Sequence, residues 1–257
     1  MNDTEVKFIA LRKWNWAMFA LHAIQGTLML ILSRDFSLPL NTWYVKFSPV
    51  SEKLEPALET VTEISIGPLV AGFLFLSALA HLSVSLPAGF RWYRRHLERG
   101  YNPARWIEYS FSSSLMIVVI AMLVGVYDLS SLILLFSLNA TMILFGWVME
   151  LHNQTTPKTN WTSYIFGCLA GIVPWIVVGL YLFNSGEGEY RAPTFVYWIY
   201  GSIFLFFNVF AVNMILQYRK TGRWADYLFG EKTYLILSLV AKSLLAWQVW
   251  AGTLRPV

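Results

Sequence analysis

Residues 238–247, Ser-Leu-Val-Ala-Lys-Ser-Leu-Leu-Ala-Trp, place one lysine, Lys242, near the middle of the apolar segment Thr233–Gly252. A helix of about 20 apolar residues is long enough to cross a bilayer. A lysine at its centre costs roughly 2.5 to 3.5 kcal/mol on insertion scales. Such a lysine must be paired, face a polar cavity, or be covalently modified so that its amine is no longer a plain ammonium. Lys242 is therefore the first candidate functional residue.

The composition argues against an ordinary soluble domain. Hydrophobic residues make up 56% of the 257 residues and charged residues 13%, and the mean hydropathy is +0.52. These values predict a multi-pass integral protein of the cell membrane. The single cysteine, Cys168, cannot form an intrachain disulfide. We expect no cleaved signal peptide and, since no nucleic-acid motif is present, no nucleic-acid partner.

Seven apolar stretches of about 20 residues predict an all-α, seven-transmembrane-helix bundle that forms a single domain over residues 1–257. The predicted spans are Trp14–Ser33, Ile64–Leu86, Trp106–Tyr127, Leu129–Met149, Ser163–Phe183, Thr194–Leu216 and Thr233–Gly252. The long first connection, 34–63, contains a β-branched and aromatic run, Thr42–Phe47, which predicts a short β-hairpin. Asn102 is a typical helix cap and Pro103 a typical first residue of the third span.

The basic residues predict the orientation of the bundle. Of the 19 Lys and Arg residues, 13 lie at the N-terminus and in the even-numbered loops, and 5 lie on the opposite side. Because basic loops stay in the cytoplasm, we expect a cytoplasmic N-terminus and an extracellular C-terminus, with the hairpin outside. Trp and Tyr residues near the segment ends, such as Trp161 and Tyr190, suit the membrane interfaces.

A run of small residues in the fifth span, Gly167-Cys168-Leu169-Ala170-Gly171, favours close helix contact. Gly167 and Gly171 predict either a face for a homodimer or packing inside one bundle.

Ionisable residues inside the spans are few, and Glu108 and Lys242 are the only plausible buried ion pair among them. Glu108 is the sixth residue of the third helix, counted from Pro103, and Lys242 is about ten residues into the seventh span; both helices begin on the same side. The lysine side chain points back toward its helix N-terminus and closes most of the ~6 Å offset. Glu150 and Arg105 lie at span ends, where we expect them to reach water. The alternative function of the Glu108–Lys242 pair is a plain structural salt bridge.

Polar side chains on the same helical faces predict a hydrated cavity beside this pair. They are Ser238, Ser112, His22, His81, Gln25, Ser77, Asn139 and Arg105. His22 and His81 are each either a proton carrier or a packing residue whose polar atoms are hydrogen-bonded. Because no Cys or carboxylate lies near them at the spacing of metal ligands, they do not predict a metal site. No phosphate-binding loop or hydrolase elbow is present, so we expect no enzyme.

Several motifs together with the inverted orientation resemble the heliorhodopsins of the microbial rhodopsin superfamily. They are RWIEYSFSSS at 105–114, ILFGW at 143–147, GIVPW at 171–175, FFN at 206–208 and SLVAKS at 238–243. The resemblance covers nearly the whole chain.

The resemblance implies that all-trans retinal is joined to Lys242 as a Schiff base and that Glu108 is its counterion. Ser238 stands where proton pumps generally have a second carboxylate, so Glu108 would act alone. The implied walls of the retinal pocket are Tyr109, Met116, Ile143, Gly146, Trp175 and Phe206. The family also implies a homodimer with a β-hairpin in its first outer loop.

The predicted function is a light sensor with a slow photocycle. We expect the proton to move into the cavity at His22 and His81 without net ion pumping, and a signalling or regulatory role through an unknown cytoplasmic partner. The basic loops are the candidate partner surface, or they serve only topology and lipid contact. A light-driven ion transporter or channel is one alternative. A retinal-free seven-helix membrane protein with a structural Lys–Glu pair is the other.

Overall fold

The computed structural model describes residues 3–184, 186 and 191–256, so the interface residue Tyr190 lies outside the described part. Within that part, seven helices are long and apolar enough to cross a membrane. The helices are α1 (Asp3–Leu32), α2 (Ile66–Ser85), α3 (Pro87–Leu97), α4 (Pro103–Leu123), α5 (Leu129–His152), α6 (Thr162–Phe183), α7 (Thr194–Tyr218) and α8 (Tyr227–Val249). The short α3 is the one that does not span. A 3₁₀ turn (Gly222–Ala225) precedes α8, and a π-helical turn (Trp250–Leu254) follows it.

Several helices run further than their apolar segments. Helix α1 begins at Asp3, eleven residues before the predicted Trp14, and α8 begins at Tyr227, six residues before the predicted Thr233. The Asp226 side chain caps α8 by accepting from the Leu228 backbone N–H at 3.0 Å. Hydropathy marks only the part of a helix that meets lipid, whereas the caps set its ends. The extension of α8 places Glu231 inside the bundle.

Helix α4 is the central element and holds the residue that pairs with Lys242. The predicted start is confirmed: Pro103 is its first residue, and the Asn102 side chain accepts from the Arg105 N–H at 3.1 Å. The most hydrophobic part of α4 is more deeply buried than the corresponding part of the other spanning helices. Its C-terminal half packs into the main apolar core, which includes Phe73, Ile117 and Val249.

The short helix α3 was not predicted. It starts with a proline at its first position and buries Tyr93 and Leu97, while Arg91 and Arg95 stay exposed. The proline and the helical spacing of the buried residues were the signals available in the sequence.

The predicted β-hairpin is confirmed and is longer than the run that predicted it. Strands β1 (Ser37–Ser48) and β2 (Lys53–Ser65) pair antiparallel, with Trp43 opposite Leu58. The base of the hairpin is fixed to the bundle, because the Asn41 N–H donates to the Tyr127 carbonyl at 2.8 Å. The hairpin therefore covers the end of the bundle where α4 ends and α5 begins.

The small residues of α6 pack inside one chain. Both Gly167 and Gly171 are buried. A Cβ at Gly167 would lie 3.2 Å from Phe145 Cβ, and a Cβ at Gly171 would overlap the Met142 side chain. The interpretation of Gly167 and Gly171 as a dimer face is therefore corrected to packing of α6 against α5. A homodimer stays a prediction and needs another surface.

Candidate functional site

The structure places Lys242 and Glu108 in contact, as the sequence predicts. Lys242 Nζ donates to Glu108 Oε1 at 2.7 Å and to Ser238 Oγ at 2.9 Å. The lysine side chain is 4% exposed and the glutamate side chain 7% exposed. A buried pair of this kind is costly to break, because removing either partner leaves a buried charge without compensation.

Two further groups fix the geometry of this pair. Ser77 Oγ on α2 donates to the same carboxylate oxygen, Glu108 Oε1, at 2.7 Å. Lys242 Nζ also lies 5.0 Å from the centre of the Tyr109 ring, which favours a cation at this position. Ser112 is fully buried one helical turn after Glu108. Three helices, α2, α4 and α8, therefore hold one amine and one carboxylate in a defined arrangement.

An apolar cavity begins at Lys242 and runs between α4, α5, α6 and α7. Its water-accessible volume is about 130 Å³. Of the predicted walls, Tyr109, Met116, Ile143 and Gly146 line it. The other walls include Trp106, Met142, Tyr164, Cys168, Phe207, Phe210 and Met214. The arrangement fits a long apolar molecule that ends at the lysine amine, which is the shape and chemistry of retinal.

The predicted walls Trp175 and Phe206 do not line this cavity. Trp175 is buried among aromatic rings, with the Phe207 ring centre 5.3 Å from its own. Phe207, and not Phe206, faces the cavity from α7. Neighbouring helical residues point about 100° apart, so an error of one position moves a side chain to another face. The remaining walls are ordinary apolar residues, which the sequence did not distinguish from packing residues.

Position 146 requires glycine because Trp106 packs against it. A Cβ at this position would overlap the six-membered ring of Trp106, which also lines the cavity. The absence of a side chain on α5 therefore allows the Trp106 indole to lie flat against that helix and form the wall.

A second, polar cavity lies on the other side of the Glu108–Lys242 pair, toward the start of α4. Its water-accessible volume is about 30 Å³, and Glu108, His81 and Arg105 line it. His81 Nδ1 is 2.8 Å from Asn15 Oδ1, and the His81 ring stacks on His22 with 5.7 Å between centres. Of the residues predicted for the cavity, His81 and Arg105 line it, whereas Ser77 and Ser238 contact the ion pair and His22 stacks on His81.

Two predicted members of the polar network lie elsewhere. The Gln25 side chain accepts from Trp247 Nε1 at 3.1 Å and does not line the polar cavity. Asn139 donates to Ser113 Oγ at 2.9 Å and to Ser114 Oγ at 3.1 Å, between α5 and α4. The assignment of both residues to the cavity is corrected, because neither lines it and each makes its hydrogen bonds elsewhere in the bundle.

A buried ionic cluster near the start of α4 was missed by the sequence analysis. The Arg105 guanidinium donates to Glu150 at 2.5 Å and also to Glu231. Its side chain is 3% exposed, and each glutamate side chain is 1% exposed. The expectations that Arg105 and Glu150 reach water and that Glu108–Lys242 is the only buried pair are both wrong. The reason is that α5 continues to His152 and α8 starts before Glu231.

Asn102 ties this cluster together. Its backbone N–H donates to Glu150 Oε2 at 2.9 Å and its side chain to Glu231 Oε2 at 2.7 Å. The Arg105 guanidinium lies 3.9 Å from the centre of the Tyr234 ring and 4.4 Å from that of Trp106. The Asp226 cap was the signal that could have placed Glu231 in a helix and revealed the cluster.

Tyr93 of α3 closes the polar cavity from outside the spans. It is 2% exposed and lines the cavity with Glu231. Burial, reinforced by the negative charge of Glu231, raises the pKa of the Tyr93 hydroxyl above its ordinary value. The phenol is therefore neutral and able to donate a hydrogen bond into the cavity.

The comparisons with known proteins agree with this arrangement. The heliorhodopsin family model matches residues 11–254. Among curated proteins, no significant match is found.

Two solved structures share the fold. A light-driven proton pump LR (Mac) from Leptosphaeria maculans has a TM-score of 0.65 and 15% identity, over 98% of this chain and 96% of that chain. The transmembrane domain of Salpingoeca rosetta rhodopsin phosphodiesterase has a TM-score of 0.66 and 12% identity, over 98% and 88%. At these identities the likeness shows the fold alone.

Proposed function

The chain belongs to the heliorhodopsin family, and on this premise we propose that it is a retinal-binding light sensor with its chromophore on Lys242. The observation that supports this most directly is the position of Lys242, which lines an apolar cavity while its Nζ lies 2.7 Å from Glu108. A purely structural salt bridge would not require such a cavity at its lysine.

Lys242 Nζ would hold all-trans retinal covalently, and the chromophore would supply a double bond that isomerises on absorbing light. The residues of the chain do the rest. Glu108 holds one proton on Lys242 Nζ, because a buried cation keeps its charge only beside an opposite charge. Ser77 and Ser238 orient the two partners through hydrogen bonds of 2.7 and 2.9 Å. Tyr109 packs beside the amine and limits the access of water.

The proton can leave this site on the polar side. The cavity at His81 opens beside Glu108, and His22 is stacked behind it. On the opposite side, α4 continues through Ile117, Val119 and Ile120, which are fully buried in the apolar core. The helix carries no acidic residue after Glu108. We infer that light moves a proton inside the protein in a slow cycle and that no ion is transported across the membrane.

The orientation of the bundle in the membrane follows from its basic residues. The excess of basic residues on the side of the α2–α4 connection favours a cytoplasmic N-terminus and an extracellular hairpin. We propose a non-enzymatic signalling or regulatory role in a homodimer, with a cytoplasmic partner at the basic loops.

The visible absorption spectrum with added all-trans retinal tests the chromophore site. The wild type is expected to form a visible band, and both Lys242→Ala and Lys242→Arg are expected to lack it. Lys242→Arg is the sharper variant, because it keeps a positive charge beside Glu108 but cannot bind retinal covalently. Lys232→Ala, at the start of the same helix, is the control and should keep the band. A wild-type protein without a visible band, or a band that survives in Lys242→Arg, would overturn the proposal.

A further inference from the structure

The buried cluster of Arg105, Glu150 and Glu231 has no part in the function proposed above, and its charges do not balance. One guanidinium faces two carboxylates, and all three side chains are almost completely shielded from solvent. An excess buried negative charge is unfavourable unless it is compensated. The cluster is therefore ready to accept one proton.

The two carboxylates are not equivalent. Glu150 accepts hydrogen bonds from the Asn102 N–H at 2.9 Å, from Arg105 at 2.5 Å, from Trp106 Nε1, and from the Tyr227 hydroxyl at 3.3 Å. Glu231 is held by Arg105 and by the Asn102 side chain. Glu231 lines the polar cavity and Glu150 does not, so Glu231 is the carboxylate that a proton in the cavity can reach.

A polar cavity connects Glu231 to Glu108, the partner of Lys242. Glu231, Glu108 and His81 line the same cavity, whose water-accessible volume of about 30 Å³ has room for about two water molecules. His81 Nε2, Arg105 Nε and the Tyr234 hydroxyl are buried and have no hydrogen-bond partner among the described residues. Buried polar atoms that face a polar cavity are the usual partners of internal water. They mark a path for a proton from Glu108 to Glu231.

We propose that Glu231 stores the proton that leaves Lys242 Nζ after illumination. The inference rests on the proposed function and adds the accepting group. The N–H bond at Lys242 Nζ breaks and leaves its electron pair on nitrogen, while an O–H bond forms on the Glu231 carboxylate. Waters and His81 carry the proton between them, and no oxidant or reductant takes part. The proton returns by the same path in the dark.

The surroundings of Glu231 favour this exchange. The charged groups that face it are Arg105 and Glu150, and the titratable phenols around it are Tyr93, Tyr227 and Tyr234. After the transfer, Arg105 and Glu150 remain as a balanced pair beside a neutral Glu231. The donor and the acceptor both lie on the side of the α4 N-terminus, so the transfer does not move charge across the whole membrane.

Infrared difference spectroscopy tests the assignment. Illumination of the wild-type pigment should produce a positive band in the stretching region of a protonated carboxyl group. The band should be absent in Glu231→Gln and should shift in Glu231→Asp, which keeps the acid and moves it. Glu98→Gln, an exposed carboxylate at the end of α3, is the matched control and should keep the wild-type band. A second measurement needs no light. Acid titration of the dark pigment should produce the protonated-carboxyl band of Glu231, and this band should again be absent in Glu231→Gln.

The outcomes separate this inference from the proposed function. A wild-type protein that forms no visible band overturns both. A pigment that completes its photocycle in Glu231→Gln with the carboxyl band unchanged overturns only the storage role of Glu231. If Glu231→Gln does not fold, the Glu231→Asp spectrum decides: a shifted band supports the assignment, and an unshifted band contradicts it.

Discussion

Lys242 Nζ and Glu108 Oε1 lie 2.7 Å apart although the two residues are 134 positions apart in the chain. The contact joins the central helix α4 to the last helix α8 in a region where both side chains are nearly inaccessible to solvent. Because the charge of each residue is balanced by the other, a change at either one should alter the protonation of both.

Glu108→Gln removes the charge that holds the proton on Lys242 Nζ and keeps the size of the side chain. The visible band of the retinal-loaded variant should convert to a near-ultraviolet band at a lower pH than in the wild type. The expected displacement is roughly 2 to 4 pH units, from the ~3–5 kcal/mol that a buried pair loses when one partner is removed. Spectra recorded during a pH titration give the midpoint. Glu63→Gln, in the hairpin, is the control, and an unchanged midpoint in Glu108→Gln would show that Glu108 is not the counterion.

Gly146→Ala should damage the chromophore cavity without touching Lys242. The new Cβ overlaps the Trp106 ring, which must move into the cavity. Overpacking of this kind costs about 1 to 3 kcal/mol. The variant should form less pigment and lose it at a lower temperature.

Gly201→Ala in α7 is the matched control for this change. No atom lies within 4 Å of the Cβ that alanine would add there. Pigment yield and thermal stability should therefore stay at or above the wild-type values, since alanine favours a helix over glycine. Equal yields in Gly146→Ala and Gly201→Ala would contradict the role given to Gly146.

Arg105→Met should strongly destabilise the protein at neutral pH. Two buried carboxylates then face each other without a cation, and the expected loss is about 3 to 5 kcal/mol of unfolding free energy. Protonation removes the uncompensated charge, so the deficit relative to wild type should shrink as the pH falls. Thermal unfolding at several pH values measures this. Arg94→Met is the control, since Arg94 pairs with Glu5 and Glu98 where the side chains are a third or more exposed, and such pairs contribute little.

The sequence predicted those parts of the site that depend on rare residue types in an apolar background. Lys242 and Glu108 are conspicuous because few residues in their spans can carry a charge, and the strand-like run Thr42–Phe47 is conspicuous because helices surround it. The cluster around Arg105 could not be recognised in the same way. Glu231 lies before the apolar part of its helix, and only the structure shows that α8 begins early enough to bury it.

The cavity walls were predicted less completely for a different reason. Phe206 and Phe207 are chemically identical neighbours, and a rotation of about 100° decides which one meets the ligand. Asn139 and Gln25 are polar residues inside spans, but each forms a hydrogen bond with a residue on a neighbouring helix. A polar residue type inside a span shows that a hydrogen-bond partner is needed. The rotation and packing of the helices decide which residue that partner is.

Illumination should produce no lasting pH change in vesicles that contain the wild-type pigment. Transport needs a proton path on both sides of Lys242, and the polar cavity beside the Glu108–Lys242 pair extends toward His81 and Glu231. The other half of α4 buries Met116, Ile120 and their neighbours in the apolar core. A proton that leaves Lys242 Nζ therefore has to return from the same side. Vesicles with Lys242→Ala provide the light-insensitive baseline. A light-evoked pH change that is present in the wild type, absent in this variant and abolished by a protonophore would show transport, and would then require a path through the apolar half of α4.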